Sequence, residues 1–175
     1  MRFNVCLAAL AATVVATPAL AAPTASDTTS ATARGVVLQA HQLVKATDLD
    51  FGVVTVGATA GTVSISADST GTRTSSGGVT PLPSTFQAAS FNGMAAPAET
   101  VALTITPPAS NVLISSTNAN DKITVNALNL DAGGASRVAD STGAFTVYVG
   151  GDFGLAANQN AGVYTAQFQL TADYQ

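Results

Sequence analysis

From residue 164 to residue 174 the chain alternates without a break. Tyr164, Ala166, Phe168, Leu170, Ala172 and Tyr174 are apolar, and Thr165, Gln167, Gln169, Thr171 and Asp173 between them are polar. A period of two places one set on each face of a β-strand, so this stretch predicts a half-buried strand of eleven residues. The same period recurs upstream. Leu49, Phe51 and Val53 alternate, then the phase shifts to Val54 and Val56. Val63 and Ile65 follow, then Phe86, Ala88 and Phe91, then Val101, Leu103 and Ile105. "NVLIS" is short and apolar. Ile123, Val125 and Ala127 give way to Leu128 and Leu130, a second phase shift of the kind a β-bulge produces. Phe145, Val147 and Val149 precede the closing strand.

Between these runs stand "SSGGVTPLP", "TPPAS", "STNAND", "DAGGAS", "GGDFG" and "ANQNAG". They are rich in residues that tolerate tight or left-handed turns, and they read as breakers. No stretch carries an apolar stripe at helical spacing, and no repeat of fixed period is present. Seven or eight short strands with such turns predict an all-β fold, a two-sheet sandwich or a barrel. A membrane barrel needs an outward apolar band with aromatic girdles. Three tyrosines and no tryptophan do not supply them, so the sandwich is preferred.

The first 21 residues stand apart from this pattern. Arg2 and the amino terminus give a positive start, "VCLAALAATVVA" an apolar run, and "ALA" at 19–21 a small-x-small cleavage site. The run is shorter than the roughly 20 residues that a membrane span needs. Residues 1–21 are therefore expected to be a signal peptide that exports the chain, with passage through a periplasm to the cell surface or medium. Residues 22–33, "APTASDTTSATA", are small, polar and without pattern, and read as a flexible leader. Cleavage would remove Arg2 and Cys6, leaving five basic against ten acidic residues and no cysteine. That excludes a disulfide or thiolate metal site, and five scattered cations make no nucleic-acid stripe. Only 9% of residues are charged, far below the usual quarter. Ser, Thr, Asn, Gln and Gly carry the surface, which suits sheet better than long helix.

Candidate chemistry is thin. His41 is the single histidine and lies on a strand-like run with no nucleophile-elbow motif near a serine. Asp48 and Asp50 flank Leu49. They lack the further oxygens that a hard cation takes, and read as the polar face beside an inward Leu49, with Asp50 holding the turn at Gly52. Glu99 is the only glutamate, and the aspartates are scattered over turns, so no pair of carboxylates converges across a cleft. "GTRTSSGG" has no nucleotide-binding context and reads as a hairpin loop. No enzymatic activity and no cofactor are expected.

Two ends of the folded part are more specific. "LDFG" stands at 49–52, and Gly162, Val163 and Tyr164 open a strand that closes on Tyr174. This combination resembles the spore coat U-like pilins of the archaic chaperone–usher pathway, and a cysteine-less sister family of secreted pilin-like proteins. The likeness covers most of residues 34–175 in layout, and these two ends in residue identity. Coat U-type pilins carry a cysteine shortly before the L-x-FG stretch. Here "QLVKATDLDFG" has none, which points to the sister family. The resemblance implies an immunoglobulin-like sandwich over residues 47–175 that lacks one strand. A periplasmic chaperone would fill the gap first, then the N-terminal extension of another identical or related pilin subunit, with an outer-membrane usher guiding assembly. Open ladders beside an apolar groove invite such strand addition, and head-to-tail contacts that do not close build a fibre.

Under this reading the closing strand ends abruptly because a partner continues its sheet. Tyr164, Phe168, Leu170 and Tyr174 are the candidate groove-edge residues. The candidate donor is residues 34–46, with Val36, Leu38, Ala40 and Val44 on its more apolar face. The same segment could equally be the domain's own first strand. The function expected is that of a fibre subunit, not an integral membrane protein. The alternative is a self-contained secreted or surface sandwich that binds a ligand.

Overall fold

A computed structural model describes residues 29–175 of the chain. The expected signal peptide, 1–21, and residues 22–28 of the expected leader lie outside the described residues. Residues 29–36 are exposed and carry no regular structure. The folded unit is Val37–Gln175.

Its elements are a single 3-10 turn, Ala109–Asn111, and eleven strands: β1 Gln42–Thr47, β2 Val54–Ile65, β3 Arg73–Pro81, β4 Ala89–Met94, β5 Thr100–Thr106, β6 Val112–Ser115, β7 Lys122–Leu130, β8 Ser136–Val138, β9 Ala144–Leu155, β10 Tyr164–Thr165 and β11 Gln169–Tyr174. All pairings are antiparallel, and the fold is an all-β sandwich. The larger sheet runs β1-β4-β9-β7-β6-β10, with β2 joined to β9 and β3 to β2; the smaller runs β11-β5-β8.

Strand β9 is the spine. One of its edges pairs with β7 over residues 149–154, and the other takes β4 over 144–149 and then β2 over 151–155. Phe145, Val147, Val149, Phe153 and Leu155 fall on every second position and are all buried. Gly151 occupies the fourth slot of that series, between Val149 and Phe153, where a Cβ would lie 2.9 Å from the Leu128 side chain. "GGDFG" is therefore strand rather than turn. Its glycines allow neighbouring strands to approach closely at the centre of the sheet, the other use of glycine in a strand.

"RTSSGGVTP" is also strand, as β3, and not the hairpin loop and breaker its composition suggests. Its pairing with β2 shifts register between Val56 and Gly61, and Gly77 takes φ +65° at that irregularity. Only Val79 of β3 is buried. The bulge expected in β7 is present: Val125 faces Phe153 and Ala127 faces Asp152, so Asn126 is the extra residue.

The apolar interior has two parts. One lies between β4, the first half of β9 and the smaller sheet, around Phe91, Val101, Leu103, Val147, Val149 and Ala172. The second lies over β2, β6, β7 and the second half of β9, around Val63, Leu113, Ile123, Val125, Phe153 and Leu155. The closing alternation is divided between the sheets. Tyr164–Thr165 pairs with β6, residues 166–168 are unpaired, and Gln169–Tyr174 pairs with β5. Crossing from one sheet to the other interrupts the hydrogen bonding of the expected eleven-residue strand and leaves Ala166, midway, exposed, while Tyr164, Phe168, Leu170, Ala172 and Tyr174 stay at least half-buried.

Candidate functional site

The second part of the interior is incompletely covered, and an open groove of about 1060 Å³ lies above it. Leu113, Ile123, Val125, Phe153 and Leu155 form its floor. One wall is the stretch Leu49–Val56 and the other is Gly162–Gln169. The floor is apolar because three neighbouring strands, β6, β7 and β9, point their inward positions at the same space.

The first wall is rigidly held. Asp50 pairs with Gln87 through two backbone hydrogen bonds of 2.9 and 2.8 Å. Its carboxylate accepts the Gly52 N–H at 2.7 Å, which closes the turn foreseen at that glycine. Gly52 has φ +72°, and a Cβ there would stand 2.5 Å from Ser84 Oγ and 2.6 Å from Arg73 Nη1. Arg73 reaches across from β3 to donate to the carbonyl oxygens of Phe51 and Leu82, and its guanidinium lies 4.5 Å from the centre of the Phe86 ring. Phe51 then meets Phe153 of the floor with ring centroids 5.0 Å apart.

The second wall is anchored by Tyr164, whose hydroxyl donates to Asn160 O at 2.6 Å and accepts from Gln159 Nε2 at 3.0 Å. Phe168 packs edge-on against Phe91 with centroids 6.1 Å apart. Beyond the wall, β11 ends at Tyr174. That hydroxyl accepts the Ala96 N–H at 2.7 Å and donates to Gln39 O at 2.5 Å, and its ring meets His41 edge-on at 5.4 Å.

Both walls have free backbone edges. Among the described residues Val54–Val56 pairs only with β3, β10 only with β6, and β11 only with β5. Of the groove-edge candidates, Tyr164 and Phe168 line the groove, while Leu170 and Tyr174 pack against the first part of the interior. The segment 34–46 is divided. Residues 42–46 belong to β1, paired with β4, where Leu43 packs inward and Val44 is 55% exposed. Leu38 and Ala40 precede β1 in exposed chain without strand partners, and Val36 is exposed. The groove residues least legible in the sequence are Phe153 and Leu155. The signal for them was present, since they continue the alternation of Phe145, Val147 and Val149.

Several titratable groups are engaged locally. Asp48 pairs with Lys45 at 2.5 Å. Asp68 and Asp140 each close a turn, and hydrogen bonds from Thr70 and Thr142 respectively, with nearby backbone N–H groups, hold both carboxyls below their ordinary range. No group of three His, Cys, Asp or Glu side chains suited to a metal is present among the described residues. Nor does any helix among them have the length and apolarity to cross a membrane. What the arrangement offers is an extended apolar slot flanked by unpaired backbone.

Comparison with curated proteins and with solved structures gives no match. A family model does match, from the first residue of β1 to the last of β11: residues 42–174 fit the family described as Domain of unknown function (DUF4402), and the chain belongs to that family.

Proposed function

We propose that the chain is a structural subunit of a surface fibre, completed by a strand from another copy. The observation that carries this reading is the groove, with apolar side chains below and unpaired backbone on both walls. An extended segment can satisfy both at once: alternate side chains fill the floor, and its N–H and C=O groups extend the ladders. The domain is then an immunoglobulin-like sandwich short of one strand.

The occupant is the stretch ahead of β1, residues 34–41. It carries Val36, Leu38 and Ala40 on one face and matches in length the eight-residue wall Leu49–Val56. Each large plug buried would contribute roughly 1.5–3 kcal/mol. The family match begins only at Gln42, so this stretch precedes the shared domain. Val44 lies within β1, paired with β4, and so falls outside the donated stretch. The chain is exported by its first 21 residues. A periplasmic chaperone covers the groove in transit, an usher releases subunits to the surface, and the role is structural rather than catalytic.

The test is assembly of the purified mature chain. Oligomer ladders that survive mild detergent and collapse on boiling are expected, and Leu38→Asp should abolish them while leaving a folded monomer. A chain that stays monomeric at high concentration overturns the proposal. The second reading, a self-contained binding module, rests on β1 already pairing within its own domain, and it requires that monomer.

A further inference from the structure

We infer that Tyr174 is a positioning residue that fixes where the leading segment leaves the domain, keeping it out of the chain's own groove and available to a second copy. The inference rests on the strand-donation reading above. It stands on a different part of the molecule, the far end of β11.

The phenol is a three-way joint. It receives a backbone hydrogen bond from Ala96, just after β4, and gives one to Gln39 in the leading segment, while its ring lies against His41. A hydroxyl can donate and accept together, and here both capacities are used on backbone groups. Its two partners lie 57 positions apart in the chain, Gln39 and Ala96, and neither is a strand neighbour of Tyr174. Residues 37–41 have no strand pairing to hold them. Val37 is 97% exposed and Leu38 41% exposed, so burial does not fix their course either. The contacts with Tyr174 do.

Distance gives the contact its consequence. Gln169 is the last residue of the groove wall. Tyr174 lies five residues further along an extended strand, roughly 17 Å at about 3.4 Å per residue. Pinned there, the leading segment starts away from its own slot. It would have to release Gln39 and His41 before turning back. A subunit with a free groove and a leading segment directed outward is competent to receive one copy and to supply another, the condition for open head-to-tail growth.

The mature chain has no cysteine, so engineered pairs report cleanly. Leu38→Cys combined with Val125→Cys places one thiol on a plug and one on the groove floor. Oxidation of the otherwise unaltered chain should give mainly intermolecular disulfide ladders. Adding Tyr174→Phe, which keeps the ring but removes the hydroxyl, should raise the intramolecular, fast-migrating monomer relative to the ladder by about fivefold, the shift expected from losing the one hydrogen bond, to Gln39 O, that holds the leading segment. His41→Ala, which leaves β11 untouched, should move the ratio in the same direction. A ratio unchanged in both variants overturns the inference. Absence of any 38–125 disulfide, within or between chains and in every background, overturns the strand-donation reading instead.

Discussion

Arg73 donates a hydrogen bond to the carbonyl oxygen of Phe51 at 3.0 Å, and so ties the wall of the groove to the hairpin strand beside it. The other arm of the guanidinium reaches Leu82 O at 2.8 Å, and Nη1 also meets Ser84 Oγ at 3.2 Å. A planar fork can serve all of these acceptors at once, whereas an ammonium cannot. Arg73→Lys should therefore fail to rescue the fold. We expect both Arg73→Lys and Arg73→Ala to lower stability by about 2–3 kcal/mol, the range for a charged hydrogen-bond donor removed from partly buried acceptors. Urea unfolding of the purified chain measures this; a lysine variant as stable as the parent would refute the fork.

Gly52 turns the same wall. Its φ of +72° costs an L-residue roughly 1–2 kcal/mol, and a Cβ would stand 2.6 Å from Thr85 O, a backbone atom that cannot swing aside. Gly52→Ala should destabilise the chain by more than about 2 kcal/mol. Asp50→Asn, which keeps an acceptor for the Gly52 N–H, should cost far less. Thermal unfolding of the two variants side by side provides the check.

The turn at Gly52 was legible in the sequence because its cause is local: an aspartate two residues before a glycine. The bulge in β7 was legible for a similar reason, since a change of phase between Val125 and Leu128 within one strand requires an extra residue there. Phe153 was not, because three glycines around it look like punctuation; they mark close contact with β2 and β7, which only the paired strands reveal. Strand β3 was hidden by its own composition. One buried residue, Val79, leaves no period to detect, and the strand exists because β2 offers it an edge. Phe86, read as inward, is exposed and covered by Arg73, a contact between residues 13 positions apart that alternation cannot signal. The groove itself follows from how strands are ordered across two sheets, information that pattern does not contain.

Asp131 and Arg137 form an ion pair, with side chains only 16% and 11% exposed. Asp131 follows β7 of the larger sheet and also accepts the Tyr148 N–H of β9 at 2.9 Å, whereas Arg137 lies on β8 of the smaller sheet. The pair is thus a tie between the layers. Arg137→Leu leaves a largely buried carboxylate without its cation and should cost about 3 kcal/mol. A double-mutant cycle with Asp131→Asn should return a coupling of about 1–3 kcal/mol, and independent, additive losses would refute the tie.

Acid should weaken two of the turns. Asp68 is held at about 2, chiefly by the Thr70 hydroxyl and also by the N–H groups of Thr70 and Gly71. Asp140 is lowered by the Thr142 hydroxyl and by the N–H groups of Ala144 and Thr142. A folded-state value below the unfolded one, near 3.9, means that the carboxylate stabilises the fold at pH above the unfolded value. That contribution is lost as pH falls through the folded value, so for Asp68 the window is about pH 4 down to about 2. Asp68→Asn should be less stable than the parent at pH 7, and the two should converge near pH 2. Both carboxyls are solvent-exposed, so the difference will be small. Chemical denaturation as a function of pH reads it, and a gap that persists unchanged to pH 2 would place the effect elsewhere.

The groove should respond to its ligand as a folded site does. A synthetic peptide of residues 34–44, "RGVVLQAHQLV", presents Val36, Leu38 and Ala40 at alternate positions. If it binds the folded chain and not the unfolded one, it stabilises by RT ln(1 + [L]/Kd), about 2.7 kcal/mol at a hundredfold excess over Kd. For a domain of this size that raises Tm by roughly 5–10 °C. The measurement is best made on the full mature chain carrying Leu38→Asp, whose own leading segment cannot compete. The same peptide with Asp in place of Leu38 should give no shift, because a carboxylate would have to be buried unpaired against Val125 and Phe153. Equal shifts from both peptides would mean that binding does not read the plug, and the groove would lose its assigned occupant.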